Sequence, residues 1–472
     1  MSKPSGEFTT PNRPVLLGNP QLHQTPTVQN TAGIVTSSEQ SVSFDDELKM
    51  ELGTSLYIGV PGFAEAFFSG VSNLQSMAKT VFEKCQEGDD PLFNTEADGW
   101  QGWPSDANED KVLEWFQRLM KKFLDLAAES YALPNKPVPG SVSKRKLDIG
   151  FVHQNTLGQA QYDWSRILVP GELKSNRKED AHQSTWLDLA RYVREIFKAQ
   201  DARRFIQGFT LCGSLMRLWE FDRLGGIASS AFDINKDGLE FVSAVLGYLW
   251  MTNEQLGFDP TITSEGANRY MTITKEGKTE RLVINDDVIK PYHSIIGRGT
   301  VCWKAHREGD KSKQLLVVKD SWQYPERDEE GEYLLEAAES EVDHVARYYH
   351  HETVRVGGKD DNIADNIRKG LQVTEADNAY KIIAKKKKDE KMKKDDGLHR
   401  SMAHLTIQSK TSLPLIMPTV SAAPQESEAH RLRDDRVHRR IILYDYGRPL
   451  YEASSRVAML AALEGGIAGT WT

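Results

Sequence analysis

The spacing of apolar positions divides the chain into segments of different period. Val112, Phe116, Leu119, Phe123 and Leu126 recur at three- and four-residue intervals, which predicts a helix with an apolar stripe turned to a core. Phe44 to Gln86 also reads as helical, interrupted at Pro61-Gly62, and Trp100, Trp103 and Pro104 mark a loop. Lys146 to Val152 and Ile167 to Lys174 are short apolar runs of strand type. Trp186 to Phe197 returns to the helical period, and Phe205 to Cys212 and Ser214 to Asp222 read as strands again. Leu239 to Met251 is a further helix, for which Asp233 or Asn235 is the expected cap; the ligand spacing of a calcium loop is absent there.

Past Gly257 to Pro260 the period changes to two. Tyr270 to Asp286 alternates apolar and polar residues around a Lys-Glu-Gly-Lys turn, predicting a hairpin. Ile295 and Ile296 lead into Gly297-Arg298-Gly299, and Val301 to Ala305 reads as a strand. Gly309-Asp310 supplies a turn, and Leu315 to Val318 forms an apolar strand closed by Lys319. A charged helical stretch follows Trp322. Near the end, Ile441 to Tyr444 is strand-like, and Ser454 or Ser455 is placed to cap a helix from Arg456 to Glu464.

Two stretches have little to bury. Residues 1–43 are rich in Ser, Thr, Pro, Gln and Asn, and residues 360–425 combine a Lys/Asp-rich run with a Ser/Thr/Pro-rich one. Both are expected to be disordered. The domains expected are therefore 44–258, 259–359 and, after the insertion, 426–472.

Composition narrows the function class. The net charge is -9 and charged residues make up 27% of the 472, which argues against general coating of nucleic acid. Only Lys385 to Lys394 could serve as a nucleic-acid contact or a nuclear-import signal. The longest apolar run, Phe241 to Met251, is too short to span a bilayer, so no membrane partner is expected. The three cysteines (Cys85, Cys212 and Cys302) form neither a metal box nor a disulfide framework, which fits an intracellular, cytoplasmic or nuclear setting.

Candidate chemistry starts at the glycine turn. Glycines at 297 and 299 let backbone N–H groups approach a phosphate closely, and a lysine ending a strand one hairpin later can reach the same group as a fixed positive charge. Lys319 is followed by a helix carrying Glu332, with Glu329 and Glu336 as rivals for the same position. The order glycine loop, strand lysine, helix glutamate and short apolar segment is that of a protein kinase N-terminal lobe.

These features, with the runs KDSWQYPERDEEGE and VARYYHHETVRVGG, resemble the fungal-type protein kinase family from about Asp148 to the final helix. The resemblance implies an α+β fold, with a kinase-like lobe of antiparallel sheet plus one helix preceded by a separate α/β domain. It also implies ATP-dependent phosphoryl transfer to protein Ser/Thr, with ATP and Mg²⁺ as cofactors and a protein as substrate. Lys319 and Glu332 would be the catalytic pair. Ile296, Gly297, Gly299, Cys302, Lys319, Asp445 and Tyr446 would line the nucleotide site. The match departs from the family in its loop: the third glycine of G-x-G-x-x-G falls on Cys302, and the alternative match is two residues short.

A second resemblance lies upstream. Asp148, then Glu172-x-Lys174 on the next strand, then helix and strand resemble the core of the PD-(D/E)xK nuclease family. That likeness implies Mg²⁺ held by Asp148 and Glu172, with Lys174 acting on the attacking water. An ion pair of Lys174 with Asp148 or Glu172 would satisfy the same residues.

The sequence after Leu450 contains neither an H-R-D-type nor a D-F-G-type segment, and His399-Arg400 leads into Ser401. Transfer needs an aspartate to orient the acceptor hydroxyl and an Asn/Asp pair for Mg²⁺. The expectation is a fungal-type kinase homologue, incomplete and inactive in transfer as this chain. The alternatives are a non-catalytic scaffold of pseudokinase type and a Mg²⁺-dependent nuclease.

Overall fold

The computed structural model describes residues 14–17, 47–53, 55–94, 99–130, 147–153, 164–289, 294–376, 435–447, 454–457, 459–460 and 463–464. Its first half is a sheet with helices against it. The strands are β1 (Pro14–Leu17), β2 (Leu56–Tyr57), β5 (Ile149–His153), β6 (Ile167–Lys174), β7 (Ile206–Cys212), β8 (Leu215–Asp222), β9 (Gly225–Ala228) and β10 (Phe232–Asp233); β3 (Phe93–Asn94) and β4 (Gly99–Trp100) form a separate small hairpin. The sheet order is β1-β5-β6-β7-β8-β9-β2, with β10 on β8. β5 runs antiparallel to β6, and β6 runs parallel to β7. The parallel step needs a crossover, and the Trp186 stripe supplies it as a helix. Its residues Trp186, Leu189, Ala190, Val193 and Ile196 are all buried.

Helices α1 (Phe63–Phe68), α2 (Leu74–Cys85), α3 (Glu109–Ser130), α4 (Gln183–Ala199) and α5 (Gly238–Trp250) belong to this half, as does a helical stretch at residues 47–52. The predicted stripe of α3 is buried at Val112, Phe116, Leu119 and Phe123, where aromatic rings from β4, α5 and α3 meet edge to face. The break expected at Pro61-Gly62 is present, with Gly62 preceding α1. The cap of α5 is Asp237, not Asp233 or Asn235. Asp233 is instead held by the Arg177 guanidinium at 2.6 Å.

The second sheet begins at β11 (Ile262–Glu265). It continues with β12 (Asn268–Lys275), β13 (Lys278–Ile289), β14 (Val301–Arg307), β15 (Leu316–Gln323), β16 (Tyr348–Thr353) and β19 (Val437–Leu443), in the order β11-β12-β13-β14-β15-β19-β16. Every pairing is antiparallel. One helix, α6 (Glu330–Glu339), lies between β15 and β16 in the chain. Met271, Ile273, Leu282, Ile284, Trp303, Ala305, Leu316, Val318 and Ile442 form its core. This is the antiparallel sheet with one helix expected of the kinase-like lobe.

Two boundaries differ from expectation. Pro14–Leu17, inside the supposed tail, adds an antiparallel strand to the edge of β5. The insertion starts later than residue 360. A hairpin of β17 (Arg355–Val356) and β18 (Lys359–Asp360) leads to Ile363 and Ile367, which are buried with Phe205 and Trp322. Ile363 and Ile367 there, with Leu371, Val373 and Ala376 packed against the first core, seat 361–376 despite its polar composition. Lys385 to Lys394 and Ser409 to Pro424 lie outside the described residues. Among the described residues no helix is long and apolar enough to cross a membrane.

Candidate functional site

β15 carries different chemistry on its two faces. Residues two apart share a face, so Leu316, Val318, Asp320 and Trp322 point one way and Val317, Lys319 and Ser321 the other. On the second face the Lys319 Nζ donates to both carboxylate oxygens of Glu330, each at 2.6 Å. The lysine side chain is 23% exposed and the glutamate 42%. Cys302 sits opposite Lys319 across the β14–β15 ladder, and Lys304 sits opposite Val317. Burial pushes the Cys302 thiol above its usual range, with the nearby Lys319 charge opposing.

The partner of Lys319 is therefore Glu330, not Glu332 and not the rivals Glu329 or Glu336. The reason is the place where the helix begins. α6 starts at Glu330, only eleven residues beyond Lys319, so its first turn is what faces the strand. Gly331 packs on His351 so closely that an added Cβ would lie 2.3 Å from the ring. Glu329, just outside the helix, is taken by Arg439. Four acids crowd positions 328 to 332, and the sequence signal that could have chosen among them is that close-packed glycine.

The glycine turn is held by the first domain. Glu51 Oε1 accepts the N–H of Ile295 and, at 2.8 Å, that of Ile296. Gly297 N–H donates to the Arg223 carbonyl at 3.1 Å. Burial raises the Glu51 carboxyl, and those two N–H bonds partly offset the rise. Gly299 has φ +50°, and a Cβ there would lie 2.5 Å from the Arg223 guanidinium, so both the backbone and the space require glycine. Ile295 is buried in the core that holds Trp186 and Trp219. The cavity next to Gly299 and Val301 holds about 20 Å³, room for one water and not for a nucleotide. The expected gap between the turn and Lys319 does not lie on that side; the turn is aimed at the N-terminal domain.

Asp445, Tyr446 and Ile296, the rest of the expected nucleotide set, each have partners of their own. Asp445 is engaged by Arg347, Nη2 to Oδ1 at 2.7 Å, which holds its carboxyl below the usual range. Tyr446 is exposed and lies under the Lys304 ammonium, 4.5 Å from its ring centre. Ile296 is half-buried against the first domain.

The first face of β15 is a buried charge network. Arg440 reaches Asp320 by Nε at 2.8 Å and Nη2 at 2.7 Å, and Asp259 by Nη2 at 3.1 Å. His438 lies between Asp320 (3.2 Å) and Asp361 (3.1 Å) and stacks on Trp322. Arg204 closes on Asp361 at 2.7 Å. Asp259, Asp320 and His438 come close enough for a metal ion. The Arg440 guanidinium already supplies the positive charge there, so the cluster is an ion-pair network joining the two sheets.

The second predicted constellation is brought together. Asp148, just ahead of β5, accepts the Leu173 N–H at 3.0 Å. Lys174 Nζ lies 2.5 Å from Glu172 and 3.0 Å from Asp188. Burial raises the carboxyls of both Asp148 and Glu172, most strongly Glu172, where the neighbouring Asp148 charge adds to the effect. Asp188 and Tyr192, one turn apart on α4, were not singled out from the sequence. Their signal is a polar pair on the edge of a stripe that otherwise faces the sheet.

A family model described as fungal protein kinase matches residues 146–471, a span that takes in both constellations. No curated protein and no solved structure matches the chain, and the nuclease and scaffold alternatives gain no support from these comparisons. The antiparallel lobe, its lysine–glutamate pair and a family match over more than half of the 472 residues agree: the chain belongs to the fungal protein kinase family.

Proposed function

We propose that the second sheet is a nucleotide-holding lobe, with Lys319 as the phosphate anchor and Glu330 as the group that fixes it. The activity served is the family's ATP-dependent phosphoryl transfer to protein Ser/Thr. The observation that carries this reading is the two-oxygen grip of Glu330 on the Lys319 ammonium. An ion pair this exposed adds only about 0.2–1 kcal/mol to stability, so folding gives little reason to orient the lysine so fully. Phosphate capture does, because a pinned ammonium meets its anion without first losing side-chain freedom.

The residues present fit a triphosphate at the lysine and not at the turn. The N–H groups of Ile295, Ile296 and Gly297 are already bonded to Glu51 and Arg223, so the turn does not offer these donors to phosphates. When bound, ATP supplies the transferable phosphoryl group and Mg²⁺ screens its charge. Asp320, the acid nearest Lys319 in sequence, faces the other side of the sheet and is neutralised by Arg440, which removes it as a ligand for that ion. Nucleotide capture is the step assigned to these residues. Transfer requires the acceptor-orienting aspartate and metal-holding pair, whose motifs the sequence does not contain.

Thermal-shift titration of the full chain with ATP, with and without Mg²⁺, tests the reading. A saturable rise in Tm, lost in Lys319→Ala, is expected; no shift in the wild-type protein would reject it.

A further inference from the structure

The junction between the two sheets holds buried arginines whose hydrogen bonds are incomplete. Arg203 and Arg204, between α4 and β7, and Arg223, just after β8, line the small cavity beside Gly299 and Trp303. They are 3%, 3% and 6% exposed. Arg203 donates through Nη2 to the Leu168 carbonyl at 2.9 Å and through Nε to that of Phe205 at 3.2 Å. Arg223 donates through Nη1 to the Ser294 carbonyl at 2.8 Å, and Arg204 through Nη1 to Asp361 at 2.7 Å. Arg203 Nη1, Arg204 Nε and Arg223 Nε are buried without a hydrogen-bond partner among the described residues. The Arg223 Nε stands against Gly299, where an added Cβ would lie 2.5 Å from it, which puts that N–H on the cavity side.

The charges around the cavity do not balance. Three acids share its lining, and each is already taken: Asp201 by Arg269 at 2.9 Å, and Asp259 and Asp320 by Arg440 at 3.1 and 2.7 Å. Asp361 is divided between Arg204 and His438. Arg203 and Arg223 lie instead over aromatic rings, 4.5 Å from the centre of Phe258 and 3.9 Å from that of Phe197. Burial pushes Arg203 down to about 9 and Arg223 down to about 10, the latter opposed by the Glu51 charge. A ring face offsets only part of the cost of burying a cation. A water in the cavity would satisfy the N–H groups and leave the charge. A small anion answers both, as acceptor of charge-assisted hydrogen bonds and as counter-charge. The room, about 20 Å³, suits a single atom.

We propose that Arg203, Arg204 and Arg223 hold one halide ion, chloride under ordinary conditions, in the cavity between the two sheets. The ion ties the N-terminal domain to the kinase-like lobe. This site is separate from Lys319 and stands whether or not that lobe takes nucleotide.

The test follows the Tm of the full chain while sodium chloride replaces sodium gluconate at constant ionic strength, so that screening stays fixed. A ligand bound only by the folded state raises Tm with the logarithm of its concentration once its site fills. That rise is expected with chloride and with bromide. Arg203→Gln, which loses a hydrogen bond to a charged partner, should need about tenfold more chloride for the same rise. Lys319→Ala should respond as the wild-type chain does. No difference between chloride and gluconate in the wild-type protein, an equal response in Arg203→Gln, or a response that vanishes in Lys319→Ala would overturn the proposal. Should Arg203→Gln not fold, bromide anomalous scattering from crystals of the wild-type protein reads the site directly. A peak among Arg203, Arg204 and Arg223 is expected; bromide confined to the surface, or a water in that place, would equally overturn it.

Discussion

Arg440 and Asp320 face each other directly across the β15–β19 ladder, joined by two hydrogen bonds of 2.8 and 2.7 Å in a fully buried setting. One residue earlier, Lys319 turns to the opposite face and meets Glu330. A single strand thus contributes an anchor for the N-terminal domain on one side and the proposed phosphate anchor on the other. Arg440 is 0% exposed and also holds Asp259 from the N-terminal side. Truncating it leaves buried Asp259 without its guanidinium partner and Asp320 with His438 as its remaining counter-charge. Arg440→Ala is expected to destabilise the chain by about 3–5 kcal/mol, read as a lowered denaturation midpoint. Arg440→Ala with Asp320→Asn should recover part of that loss; a single variant within 1 kcal/mol of wild type would show that the network contributes nothing net.

His438 gives the fold a pH dependence. Burial by itself would lower its pKa, yet hydrogen bonds to Asp320 and Asp361 raise it to about 9, from 6.5. A raised folded-state value means that the stabilising contribution is full below pH 6.5 and disappears as pH climbs through 9. Stability should therefore fall by on the order of 3 kcal/mol between pH 6.5 and 9, and His438→Gln should flatten that slope. Asp320, held far below its usual range by Arg440 and His438 despite its burial, contributes nothing to this window. Urea denaturation at several pH values makes the measurement, and a flat wild-type profile would contradict the protonated assignment.

Glu330 and Glu332 can be separated directly. Only Glu330 contacts Lys319, so Glu330→Gln should reduce the ATP-induced Tm shift several-fold while changing intrinsic stability by less than about 1 kcal/mol. Glu332→Gln should leave both unchanged. Reversed outcomes would move the anchor's partner further along the helix.

Much of this arrangement was legible in the sequence because it rests on period. The α3 and α4 stripes, the ILVPGELK strand, the alternating hairpin and Lys319 at the end of an apolar run all follow from side-chain spacing along one element. Glu172 and Lys174 on one face follow from the same rule, and their ion pair is present at 2.5 Å. What spacing cannot carry is which elements meet. Glu51 reaches Ile296 across 245 positions, and Arg440 reaches Asp259 across 181. Neither contact leaves a local trace, because a buried arginine in a strand looks like an exposed one until its partner strand is known. Glu330 was missed for a finer reason: helix starts are the least determined part of a periodic pattern, and a shift of two residues moves the facing acid.

The glycine turn is tied to the first domain through its backbone. Glu51 accepts two consecutive backbone N–H groups, and Arg223 sits behind Gly299 with its guanidinium over the Phe197 ring, 3.9 Å from the centre. In Glu51→Ala the N–H groups of Ile295 and Ile296 lose their acceptor in a half-buried place, at a cost of about 1–3 kcal/mol. That loss falls on the turn itself, since Lys319 and Glu330 are held by their own sheet and helix. Hydrogen–deuterium exchange across 294–301 should therefore accelerate in Glu51→Ala while exchange across 316–323 stays at the wild-type rate. Because the turn is aimed away from Lys319, the ATP-induced Tm shift should keep its wild-type size in the same variant. Unchanged exchange in 294–301 would mean that the apolar seat of Ile295 alone fixes the turn; a changed ATP-induced shift would mean that the turn amides do meet the nucleotide.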